Sequence, residues 1–129
     1  MGLEVNPLAI VSSYLESFAG ADPDTIASHV CEDFENVHRS ALGDSCFGRA
    51  SYRDRLPNFL RDFAGVGYEL AEATVDGDRV AAAYVMRATY QGSAIEIHGM
   101  FNFVVEGGCI RRRVDYFDSL TFLQQIGQA

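Results

Sequence analysis

YELAEATVDGDRVAAAYVMRATYQGSAIEIHGMFNFVVEGGCIRRRVDYF, residues 68–117, is the stretch on which the fold turns. Along it the apolar residues recur mainly at every second position, the period of a sheet with one buried face. Three turn sequences divide it: Asp76-Gly77-Asp78, Gly92-Ser93 and Gly107-Gly108. Glycine there supplies the left-handed backbone that tight hairpins need. The pattern predicts strands over Tyr68–Val75, Arg79–Tyr90, Ala94–Val105 and Cys109–Phe117, joined as an antiparallel meander.

The residues before this stretch have a helical period. Leu8, Val11, Leu15 and Phe18 share one helix face, with Tyr14 beside them and Gly20 as the stop. Asp22-Pro23 opens a second helix with a capping acid and a proline at its first position, and Ile26 and Val30 form its apolar side. Phe34–Arg39 reads as a short strand before a loop around Gly43-Asp44. Gly48–Phe63 is helical again, with Tyr52, Leu56, Phe59, Leu60 and Phe63 inward and a kink or break expected at Pro57. A short helix over Leu120–Ile126, with Ser119 as a cap and Asp118 ending the strand and helping to cap, closes the chain. Helices first and a meander after them predict an α+β layer fold in one domain, residues 1–129.

Composition narrows the function. Eighteen acids against ten bases, a net charge of −8, argue against a phosphate-backbone binder and against steering to anionic lipid. No uncharged run exceeds eleven residues, too short to span a membrane. Met1-Gly2 lacks the Ser or Thr that myristoylation wants where Asn6 stands, and no basic n-region marks a signal peptide. Cys31, Cys46 and Cys109 are odd in number and lack metal-ligand spacing, so they read as small buried residues of a cytoplasmic, reducing compartment. No phosphate loop, dinucleotide fingerprint or metal cluster implies a cofactor.

Three further features carry a resemblance: the Ala21-Asp22 turn after a Tyr-bearing first helix, Tyr90-Gln91-Gly92, and Arg113-Val114-Asp115-Tyr116-Phe117-Asp118. With the element order, they make nearly the whole chain similar to the nuclear-transport-factor-2-like superfamily, in its SnoaL-like and ketosteroid-isomerase-like branch. The last segment resembles the final strand of limonene-epoxide hydrolases. The resemblance implies a cone-shaped curved antiparallel sheet wrapped on the N-terminal helices, a cystatin-like α+β barrel whose mouth holds an apolar ligand. It places Tyr14 on the oxyanion-hole tyrosine of ketosteroid isomerase, His38 at its general-base aspartate and Gly99 at its second aspartate. Against limonene-epoxide hydrolase, Asp115 falls on the water-activating aspartate and Asn36 on a water-positioning asparagine. Phe34 replaces a tyrosine, and Tyr84-Val85-Met86-Arg87-Ala88 lacks the Arg-x-Asp pair that protonates the epoxide.

Strand parity places the candidates on common faces, since residues two apart lie about 6.6 Å apart on one side. Arg113, Asp115 and Phe117 form one inward row; Phe34, Asn36 and His38 a second; Tyr84, Met86 and Ala88 a third. Asp115 is the leading proton acceptor, because an inward carboxylate is desolvated; the structural alternative is a rim acid paired with Arg113 or Arg112. His38 can exchange protons near neutrality, Asn36 can hold a water or a substrate oxygen, and Tyr14 can donate to a developing oxyanion. Each is equally an ordinary core or strand residue. Arg113 can bind a substrate carboxylate, although neutralising Asp115 is the plainer role. Phe18, Phe34, Tyr52, Leu56, Phe59, Tyr84, Met86, Phe101, Arg113 and Phe117 are the expected ligand contacts.

The expectation is a general acid/base enzyme of isomerase or cyclase type acting on an apolar carbonyl or hydroxyl compound. The alternatives are an atypical epoxide hydrolase and a non-catalytic ligand-binding or partner-docking domain. Met100, Val104 and Tyr116 on the outer sheet face, beside His98 and Asn102, predict a homodimer.

Overall fold

The computed structural model describes residues 6–129, so the Met1-Gly2 start lies outside the described residues. Asn6 caps α1 (Pro7–Ser17) by accepting from the N–H groups of Leu8 and Ala9, and Pro7 takes a first-turn position where no donor is needed. Val11, Tyr14 and Leu15 are its buried side. A 3-10 turn, Phe18–Gly20, leads to α2 (Pro23–Ala27), which Asp22 caps. The remaining elements are β1 (Val30–His38), β2 (Cys46–Phe47), α3 (Arg49–Asp62), β3 (Phe63–Asp76), β4 (Arg79–Tyr90), β5 (Ser93–Glu106), β6 (Cys109–Phe117) and α4 (Ser119–Gln125).

The six strands form one curved, unclosed sheet in the order β2-β1-β6-β5-β4-β3. β3 to β6 are the meander. Gln91 and Gly92 have φ of 48° and 81°, and Gly107 and Gly108 have 60° and 88°, so both residues of each loop are left-handed, as a type I′ hairpin requires. Register shifts within β3 and between Val104 and Val105 of β5 and its partner β6 add the irregularity that bends a sheet. Its concave face packs Phe34, Phe101, Phe103, Ile110 and Val80 against Val11, Tyr14 and Phe18, all essentially inaccessible. Each such side chain contributes roughly 1.5–3 kcal/mol of burial.

Several expectations need correction. β1 starts at Val30, which belongs to the sheet and not to α2, and it pairs with β6 in parallel. The sheet is therefore mixed, and it is this pairing that sets Asn36 beside Arg113 and His38 beside Asp115. α3 runs through Pro57 without a break. Tyr52 and Leu56 anchor its buried face just ahead of Pro57, which lies on the solvent side. β2 was not foreseen, and of the two residues expected to cap α4 Asp118 takes the N-cap while Ser119 is its first helical residue.

The cysteines also differ from the expectation. Cys31 on β1 and Cys109 on β6 form a disulfide, Cα to Cα 5.1 Å, and Cys46 alone is a free thiol. An odd count conceals a pair that only the parallel β1–β6 contact brings together. The bridge removes the ground for reading a reducing compartment from the cysteines. Among the described residues no helix is long and apolar enough to cross a membrane.

Candidate active site

A cavity of about 550 Å³ lies between the concave sheet face, α3, the loop from residue 39 to 45, and α4. Phe18, Leu56, Phe59, Met86, Ile95, Ile97 and Phe117 make much of its wall apolar, and Asn36, His38, Arg113 and Asp115 converge on it from β1 and β6. This is the usual make-up of a small-molecule site. The mouth is tied at two points: Asp44 pairs with Arg55 of α3 at 2.5 Å, and Leu42 N–H donates to Ser119 Oγ of α4 at 3.0 Å.

Asp115, 6% exposed, is held from two sides. Tyr84 donates its hydroxyl to Oδ1 at 2.7 Å, and His38 Nδ1 stands 3.4 Å from Oδ2. Nδ1 is within ion-pair range yet outside hydrogen-bond alignment, which leaves it without a hydrogen-bond partner among the described residues. Burial first, then the Asp115 charge, pushes the Tyr84 phenol far above its ordinary pKa, so it remains a donor. Tyr84 reaches Asp115 by crossing Gly99, its partner in the β4–β5 ladder; a Cβ at 99 would overlap the end of the ring. Phe101 stacks beneath it, ring centroids 4.3 Å apart.

Arg113, 5% exposed, does not pair with Asp115. Its guanidinium donates to Tyr14 Oη at 2.6 Å and to Asn36 Oδ1 at 2.8 Å, and it sits 3.5 Å from His38 Nε2. With Arg113 as the donor, Nε2 is an acceptor, and the proton of the neutral imidazole lies on Nδ1, facing Asp115. The guanidinium carbon lies 4.9 Å from the Phe101 ring centroid. Burial works against the Arg113 charge, but the oxygens of Tyr14, Tyr52, Asp115 and Tyr68 outweigh it and hold its pKa above the usual value. Tyr14 and Tyr52 share a short hydrogen bond, and burial raises the pKa of both.

The structure thus divides the expected catalytic set. Asp115 and His38 line the cavity with unspent capacity. Asn36 is engaged at both ends, accepting from Arg113 and donating to Cys46 Sγ at 3.6 Å. Tyr14 lies behind the wall as a support for Arg113. Of the expected contacts, Phe34 and Phe101 are also behind the wall, wholly buried, while Phe18, Tyr52, Leu56, Phe59, Tyr84, Met86, Arg113 and Phe117 line it. Sequence reasoning missed Tyr68, Ile95, Ile97 and Phe122, and the rim from Leu42 to Asp44 with Arg55. Parity on β5 carried Ile95 and Ile97; nothing local marked the loop. Gly43 packs so closely on His38 that a Cβ there would overlap the histidine's own. Among the described residues no group of three or more His, Cys, Asp or Glu is placed to hold a metal.

A family model described as a SnoaL-like domain matches residues 11–113. No curated protein sequence matches the chain. Among solved structures, the chain resembles a hypothetical protein with a ketosteroid isomerase-like fold from Catenulispora acidiphila, in complex with trimethylamine, with a TM-score of 0.85 and 20% identity over 93% of each chain. It resembles TerC co-crystallised with polyporic acid at a TM-score of 0.81 and 21% identity, over 94% of this chain and 98% of that one. It resembles a candidate polyketide cyclase from Xanthomonas campestris at a TM-score of 0.78 and 24% identity, over 93% and 96%. At these identities the likeness is one of fold.

Proposed function

The chain belongs to the SnoaL-like domain family, and from that membership we propose that it is an acid/base enzyme of isomerase or cyclase type acting on an apolar carbonyl or hydroxyl compound. The observation that carries the reading is the Asp115–His38 pair, set in the wall of an aromatic cavity and free of any arginine partner among the described residues. Asp115 takes a proton from a carbon next to a carbonyl; the C–H electrons form the C=C bond and the carbonyl π electrons move to its oxygen. The resulting enolate is reprotonated elsewhere, as in an isomerase, or attacks a second carbonyl, as in a cyclase. His38, with its Nδ1 proton facing Asp115 Oδ2 across 3.4 Å, supports the carboxylate charge, and the proton that Asp115 gains is the one it returns to the product. TerC with its polyporic acid and the Xanthomonas cyclase candidate lend weight to a cyclic, oxygen-bearing ligand. Proton magnetic resonance of 2-tetralone in heavy water tests the reading. The protein is expected to speed exchange of the protons next to the carbonyl above the buffer rate, and His38→Gln to slow it by about tenfold or more. No acceleration by the wild-type protein would contradict the proposal.

We also propose that the outer sheet face, where Met100 and Tyr116 stand 39% and 43% exposed, pairs with a second copy. Light scattering is expected to give twice the 14.2 kDa chain mass; a monomer mass would exclude it.

A further inference from the structure

Arg113 is a buried cation whose contacts are all with neutral groups. It lines the cavity, yet the carboxylate nearest in sequence, Asp115, gives its oxygens to Tyr84 and His38. A guanidinium has five N–H groups. Tyr14, Asn36 and the longer contact to His38 use three of them, and Nε is buried without a partner among the described residues. The faces of Tyr14, Tyr52 and Phe101 add cation–π attraction but do not cancel the charge. The Asp115 charge favours the guanidinium without touching it, and a buried cation gains further from an anion in direct contact.

The tyrosines at the same end supply a second donor. Tyr14 Oη accepts from Arg113 and is bonded to Tyr52 Oη. Tyr14 Oη already accepts from Arg113; when its own proton is given to Tyr52, the Tyr52 proton is left over on a side chain that lines the cavity. Arg113 thus polarises a two-phenol chain that ends at the ligand space.

We propose that this end of the cavity is an anion subsite: the substrate carries an ionised oxygen, a carboxylate or an ionised enol, which takes an unspent N–H of Arg113 and the hydroxyl of Tyr52. This rests on the acid/base reading above, in which the reacting carbon lies toward Asp115. The Asp115 charge, turned to Tyr84, keeps the anion at the Arg113 end. Tyr14 and Asn36 are positioning residues, since they act by fixing the guanidinium.

Calorimetric titration at neutral pH with three probes of similar shape tests this: 2-naphthoate, 2-hydroxy-1,4-naphthoquinone as an ionised enol, and neutral 2-naphthamide. At least one anion is expected to bind about tenfold or more tighter than the amide, the worth of a charge-assisted hydrogen bond; which anion wins separates carboxylate from enol. Arg113→Gln is expected to bring the preference to within about twofold. Tyr52→Phe, which keeps the ring, is expected to lower it by about threefold, and this arm stands even if Arg113→Gln does not fold. Equal affinity for amide and anions, no binding of any probe, or a preference that survives either substitution would overturn the proposal. Asp115→Asn is expected to keep the anion preference while proton exchange is lost, so the subsite and the acid/base reading fail separately.

Discussion

A methyl group at position 99 would overlap the far end of the Tyr84 ring. Glycine at that point lets the phenol lie across β5 and deliver its hydroxyl to Asp115. Gly99→Ala is therefore expected to push Tyr84 off the carboxylate and to destabilise the fold by about 1–3 kcal/mol, the range for overpacking; denaturant unfolding measures it, and an unchanged midpoint would show that the ring has room to move. The resemblance to ketosteroid isomerase singled out position 99 only as a missing aspartate. What the sequence could carry at this scale was parity: Arg113 and Asp115 on one face of β6, Asn36 and His38 on one face of β1. What it could not carry was which neighbour each side chain would choose. Arg113 is long enough to pass Asp115 and reach Tyr14 on α1, and that choice depends on where α1 packs, which no local pattern encodes.

At the scale of elements, the hairpins were legible because Asp76-Gly77-Asp78, Gly92-Ser93 and Gly107-Gly108 announce their turns locally, although the second loop is Gln91-Gly92, one residue earlier than expected. The β1–β6 pairing was not, since parallel neighbours share no turn and lie most of the chain apart. β2 was too short to show a period. The terminal helix was legible, and its position gives it a role: α4 places Phe122 in the cavity wall, and Gln125 clamps it to both backbone groups of Glu96 at 2.8 Å. Its start depends on Asp118, which accepts from Leu120 N–H and Thr121 Oγ1. The Thr121 hydroxyl first, then the backbone N–H groups, hold this carboxyl below its ordinary pKa of 3.8. A depressed carboxyl stabilises fully above its unfolded value, and the contribution fades as pH falls through the depressed one. Amide hydrogen exchange over Leu120–Ile126 is thus expected to quicken in Asp118→Ala at neutral pH, and in the wild type only below about pH 4. Equal protection in both proteins at neutral pH would show that packing alone holds α4.

For the molecule as a whole, both proton-carrying residues and the buried cation depend on one parallel strand pair, which the Cys31–Cys109 bridge staples at the end away from the site. The bridge closes a loop of 78 residues in sequence separation. Its removal is expected to cost about 2–4 kcal/mol, read as a lower denaturation midpoint for Cys109→Ser or for the wild type under reductant; no difference between oxidised and reduced protein would deny the staple any role in stability. The central claim is chemical: the carboxylate of Asp115 moves a proton for a ligand in the cavity. Its most direct test is the rate of proton exchange into 2-tetralone by Asp115→Asn, with circular dichroism showing that the variant is folded. Asparagine keeps the shape and an acceptor for Tyr84 but cannot take the proton. The account predicts a fall of about a hundredfold or more; a folded variant that exchanges at the wild-type rate would contradict it.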